Sequence, residues 1–189
     1  KCVFQFNFYG SQNNKRAMEW MFLNDGPPGH HYQASLREQL RSRPAFASEF
    51  FYPGNVEGWG AYVENYGKEL GLYQKPEQEL GKWEWDLVRS ARVVLDVGIH
   101  YKGWSKEQAL AYWKQNVPGQ EQIADREVTR CINWAGQVLS YKVGEKVIKE
   151  LLAARKATEG NKFDIRKFHD DYLKQGSLPL EVMQQALVT

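Results

Sequence analysis

The chain is short of cysteine, of net charge and of long apolar runs, and each shortage narrows what it can be. Its two cysteines, Cys2 and Cys131, say little about redox compartment. They could pair, although one stands at the extreme terminus and the other inside a helical pattern. A formal net charge of only +2 gives no footing for a nucleic-acid surface. No apolar run is long enough to span a membrane. An initiating Met and a signal peptide are both missing from the opening Lys1-Cys2-Val3-Phe4, so the chain is expected to be a fragment or processed product lacking its N-terminal portion.

What is present fits one globular domain. The 189 residues are 42% hydrophobic and 25% charged, enough for a single core. Seven Trp and ten Tyr raise the aromatic content to 14%. Such side chains suit either a ligand cleft or an aromatic helical core.

Patterning points to a mainly α fold with at most one short strand. Val3 to Tyr9 alternates apolar and polar residues, the strand signature. Helices are expected over Asn13–Leu23, ended by Pro27 and Pro28, and over Gly29–Leu40. Arg41–Asn55, with Pro44, Pro53 and Gly54, reads as loop. Glu57–Leu70 reads as helix with Gly71 as its stop. Pro76 suits a first turn before the long periodic stretch Glu77–Ile99. Ser105 and Gln108 form a capping box for a helix to Asn116. Further helices are expected over Glu121–Trp134, Gln137–Thr158, Asp164–Lys174 and Leu180–Leu187.

Several polar constellations could carry chemistry. His30 and His31 follow Pro28-Gly29 at a helix start, where free amides and the helix dipole favour the neutral imidazole that binds metal. They could equally be two histidines in a helix cap. About 100° separates neighbours on a helix, so the pair would not share one ion. Downstream, Glu57 and Glu64 share a helix face over Ala61. A histidine-bearing helix followed by a glutamate-bearing one is also how gluzincin-type peptidases assemble zinc ligands. Arg92, Asp96 and His100 recur every four residues within an apolar helix. They read either as a self-satisfied ion ladder or as an active-site wall. Tyr141 could steady an oxyanion, with Gln137 or Lys142 orienting substrate, although a helical tyrosine is more usually packing.

Taken together, the stretches Pro28-Gly29-His30-His31-Tyr32-Gln33, Glu57-Gly58-Trp59, Asp96-x-Gly98-Ile99-His100, Gly103-Trp104-Ser105, Arg126-Glu127-Val128, Gln137-x-x-Ser140-Tyr141-Lys142 and Phe163-Asp164-x-Arg166-x-Phe168-His169-Asp170 resemble one family. It is the bacterial domain of unknown function family eight-eight-five, itself similar to zincin-like, thermostable-carboxypeptidase-type metallopeptidases. The family pattern runs His-Glu-Ala-x-Pro-Gly-His-His-x-Gln, then Glu-Gly-Trp-Ala-x-Tyr-x-Glu.

The resemblance implies a multi-helix, gluzincin-like domain forming the C-terminal part of a longer chain. It implies Zn2+ held by His30 and Glu57. Asp25, Tyr141, His100 and Arg92 would then be catalytic, with Gln137, Lys142 and His31 near substrate. A peptide would be the partner and the cell envelope the expected location. One departure matters: the family's opening His-Glu is Asn24-Asp25. Asn24 makes a doubtful zinc ligand. Asp25 is a methylene shorter than glutamate and would displace an attacking water by roughly an ångström, which can cost on the order of a hundredfold in rate. Three functions follow as expectations: a metal-dependent peptidase using Asp25 or Glu64 as base, a degenerate relative that binds a peptide or envelope component without turnover, or a structural half whose site the missing portion completes.

Overall fold

The computed structural model describes Arg16, residues 18–39 and residues 50–188. The expected strand over Val3–Tyr9 and Cys2 lie outside these residues. Among the described residues the secondary structure is helical: α1 (Met18–Asp25), α2 (His30–Gln39), α3 (Pro53–Val63), α4 (Pro76–His100), α5 (Lys106–Asn116), α6 (Ala124–Asn133), α7 (Leu139–Glu159), α8 (Ile165–Lys174) and α9 (Leu180–Val188), with short 3-10 turns at Glu64–Tyr66, Glu121–Ile123 and Gly160–Lys162.

Two starts follow from local chemistry. The Ser105 hydroxyl accepts the Gln108 backbone N–H at 3.2 Å while the Gln108 side chain accepts the Ser105 N–H at 2.8 Å, closing the capping box. Pro76 opens α4, where its missing N–H has no helical partner to lose. The same logic corrects the loop expected over Arg41–Asn55, of which 50–55 are described. Pro53 is not a loop residue but opens α3. Gly54 then lies inside that helix, and α3 and α7 pack backbone against backbone through Gly144. A Cβ on Gly144 would stand 1.9 Å from the Gly54 carbonyl oxygen and 2.6 Å from the Gly58 Cα.

The helix expected to reach Leu70 stops at Val63 and tightens into a 3-10 turn. The chain turns back at Gly67, where a Cβ would meet the Tyr73 ring at 2.2 Å. Gly71 then takes a left-handed φ of +81°.

The core has two main parts. Val88, Leu95, Trp113, Val117, Val128 and Cys131 are buried between α4, α5 and α6. Trp59, Tyr62, Ile148, Phe168, Tyr172 and Met183 are buried between α3, α7, α8 and α9. Helix α1 packs on α3 and α4, and α2 packs on α3 and α8. Asn24, Asp25, His30, Glu57 and Glu64 therefore stand where α1, α2, α3 and α4 meet. Burial holds the Cys131 thiol up at about 11, so it is a packing residue rather than a nucleophile. No described helix is long and apolar enough to cross a membrane.

Candidate functional site

Glycine lets the site form. Helix α2 begins at His30 and α3 passes beneath it. Gly60 of α3 carries no side chain, and a Cβ there would lie 2.7 Å from His30 Cε1, 2.8 Å from His30 Nε2 and 2.8 Å from Asn24 Nδ2. The imidazole and the amide thus rest in the space an alanine methyl would fill, and alanine is what the family pattern has at this position.

Here His30 Nε2 lies 3.4 Å from Glu57 Oε2, with both side chains largely buried. His30 Nδ1 is buried without a hydrogen-bond partner. Asp25, the last residue of α1, interacts electrostatically with both groups. Partial burial pushes its carboxyl upward and Glu57 adds to this, while His30 and Arg89 pull it down. The structure therefore brings His30 and Glu57 together, with Asp25 near enough to feel both charges. His30 and Glu57 border a cavity of about 320 Å³ whose wall also includes Gln33, Arg37, Phe51, Val56 and Leu173 but not Asp25.

Asn24 belongs to a different arrangement. It is buried, and its Nδ2 donates to Glu64 Oε1 at 2.8 Å. Arg89 Nη1 donates to the other Glu64 oxygen at 2.7 Å, with both side chains almost wholly inaccessible. Burial pushes the Glu64 carboxyl upward and the Arg89 guanidinium and Asn24 amide oppose it. Both oxygens accept donors, so the ion pair is the form this geometry holds. Glu64, a candidate base on sequence grounds, is spent as a structural anion.

The other candidates are also engaged. Arg92 forms a buried pair with Glu127 through Nε at 2.7 Å and Nη2 at 2.6 Å. Asp96 accepts the Gly136 backbone N–H at 2.8 Å, and His100 Nε2 donates to the Cys131 carbonyl at 2.8 Å. Of the two readings of this ridge, the self-satisfied ladder Arg92–Asp96–His100 is corrected: each member reaches across to α6 or the turn after it. Successive residues of one ridge face the same neighbour, so each finds its own partner there.

Gln137 and Tyr141 both accept from Arg130 Nη2, at 2.8 and 3.4 Å. Lys142 donates to Asp86 at 2.8 Å and Glu145 at 2.6 Å. None of Arg92, His100, Gln137, Tyr141, Lys142 or His31 lines the His30 cavity. Arg89 was missed in the sequence, and it joins the two groups, since its guanidinium carbon also lies 5.5 Å from the Tyr141 ring centre. Its signal was a second arginine one turn before Arg92 on the same apolar helix.

Comparison with known proteins places this geometry. The sequence profile of a bacterial protein family of unknown function, DUF885, matches residues 3–187. The chain belongs to the DUF885 family. Two solved structures agree with that assignment, each described as a putative lipoprotein. The one from Colwellia psychrerythraea matches at TM-score 0.87 and 34% identity, over 92% of this chain and 30% of its own. The other, from Shewanella oneidensis and of unknown function, matches at TM-score 0.83 and 28% identity, over 93% of this chain and 32% of its own. This DUF885 chain thus spans about a third of each relative's length. None of the curated proteins compared with it matches.

The motif resemblance implies zinc, and the residues can be tested for it. Two ligands about 2.0 Å from a tetrahedral ion sit roughly 3.3 Å apart. The 3.4 Å between His30 and Glu57 agrees. The rest of the donor set does not fit. Asn24 points its amide nitrogen at Glu64, and no three His, Cys, Asp or Glu side chains converge among the described residues. A zinc-bound imidazole also ordinarily donates through its other nitrogen, whereas His30 Nδ1 has no acceptor. The described residues of this DUF885 chain do not fit a catalytic zinc ion.

Proposed function

We propose that the His30–Glu57 cavity binds a peptide without hydrolysing it, as a degenerate member of a zincin-like family. The observation that carries this is the Asn24–Glu64–Arg89 arrangement. The position where the family pattern puts a metal-binding histidine has become a donor inside a buried ion pair. What surrounds His30 still suits a peptide. Val56, Leu173 and Phe51 offer an apolar wall for a side chain, while Arg37, Gln33 and Glu57 offer polar groups to the backbone.

Metal-dependent peptide hydrolysis is the second reading, favoured by the 3.4 Å spacing of His30 and Glu57. Its donor set is incomplete, and no reaction step is derived for it.

The test is a titration of the chain against fluorescein-labelled peptides from a casein digest, followed by mass spectrometry of the recovered peptides. Expected are saturable binding with a Kd on the order of 1 μM to 100 μM and intact peptides. Arg37→Ala and His30→Ala should each weaken binding at least about fivefold. Fragments that appear with the native chain and vanish with His30→Ala would overturn the proposal in favour of hydrolysis.

A further inference from the structure

A second cavity, of about 410 Å³, opens on the other side of α2's first turn and shares only Leu173 with the first. Its walls are rings: Tyr32, Trp59, Tyr66 and His169. Trp59 meets His169 edge to face at 5.5 Å and 86°, and Tyr66 meets His169 at 5.6 Å and 85°, so both rings stand at right angles to the imidazole. The buried Tyr62 hydroxyl braces them from behind, 2.6 Å from the Tyr66 hydroxyl and 2.8 Å from His169 Nε2. Rings fixed this way lose little freedom when a ligand enters.

The lining carries two carboxylates against one guanidinium. Glu69 and Asp170 lie on its lining, and both are exposed. Burial pulls the His169 imidazole below its ordinary value, so it stays neutral near pH 7. Arg166 is the opposing cation on the lining. Its side chain is 91% exposed and leans 3.8 Å from Asp164. Lys174 stands 3.7 Å from Asp170 with its own side chain in solvent. Aromatic faces carry negative potential and attract cations, and Glu69 at the rim adds to it while Lys174 offsets part of the Asp170 charge.

We propose that this cavity is a binding site for an alkylammonium group, carried either by a lysine side chain or by a small free amine. The inference is independent of the peptide reading of the His30 cavity.

Calorimetric titration of the 189-residue chain with choline, with the uncharged carbon isostere of choline and with N-acetyl-lysine amide tests it. A cation should bind saturably and at least about fivefold tighter than the isostere. Whichever cation binds tighter identifies the source of the group. Glu69→Gln with Asp170→Asn, exposed changes that leave the fold intact by circular dichroism, should weaken that cation about threefold to tenfold. Equal binding of choline and isostere would overturn the proposal. So would unchanged cation affinity in the double variant, or no saturable binding of either cation up to roughly 10 mM.

Discussion

Two groups of titratable side chains in one helical domain behave oppositely. Around Arg89 and Arg92, every charge named above has a partner: Glu64 takes Arg89 and Asn24, Glu127 takes Arg92, Asp96 takes the Gly136 amide and His100 takes the Cys131 carbonyl. Around His30, partners are missing. Nδ1 has none, and the contact of Nε2 with Glu57 is longer than a hydrogen bond between well-seated groups. The first group holds helices in place. The second faces a cavity and retains capacity for something else. Motif similarity alone puts both sets at the active site, and only the accounting of partners separates them.

The contrast can be broken first at its strongest point. Arg89→Met removes the cation paired with the buried Glu64 carboxylate and should destabilise the fold by about 3–5 kcal/mol, measured by urea unfolding. Arg92→Met should cost less, because Arg126 also pairs with Glu127. A loss below about 1 kcal/mol with Arg89→Met would show that water or a neighbour replaces the guanidinium, and the structural role would fall.

The next effect is a pH dependence. Burial raises the Glu145 carboxyl, but Lys142 and Lys149 overcome this and hold it down at about 2, against an ordinary 4.5. A depressed acid contributes stability above its unfolded value and loses it as pH falls through the folded one. The stability advantage of the native chain over Glu145→Gln should therefore shrink by about 2 kcal/mol between pH 5 and pH 2.5. A pH-independent difference would contradict the pairing.

A smaller change sharpens the comparison. His100→Ala loses one hydrogen bond and should cost about 1 kcal/mol without altering peptide binding at the His30 cavity. His30→Ala should do the reverse, changing stability by less than about 0.5 kcal/mol while weakening peptide binding. Matching effects of the two variants on both readouts would erase the distinction between the groups.

Much of this was legible in the sequence, for definite reasons. Helical periodicity and the Ser105 capping box are local signals, and local geometry decided them. The sequence put His30 and Glu57 on successive helices, although α3 opens at Pro53 and carries Glu57 one turn further in than expected. What failed depended on distant neighbours. Pro53-Gly54 looks like a turn until α7 is seen to need Gly54's backbone at close range. The ridge Arg92, Asp96, His100 looks self-contained until α6 supplies a partner for each. Gly60 shows in the sequence only as a glycine where the family pattern has alanine, yet it admits both the His30 ring and the Asn24 amide. The departure at Asn24 was visible, but its consequence was not, because Glu64 and Arg89 come from two other segments.

The most direct measurement is zinc content by mass spectrometry after dialysis without chelator, for the native chain and for the double variant Asn24→His with Asp25→Glu. The native chain should retain less than about a tenth of an equivalent, and the variant, its third donor restored, should approach about one. A native chain that retains about one equivalent of zinc would contradict the account, because it would mean that Asn24 has not closed the metal site.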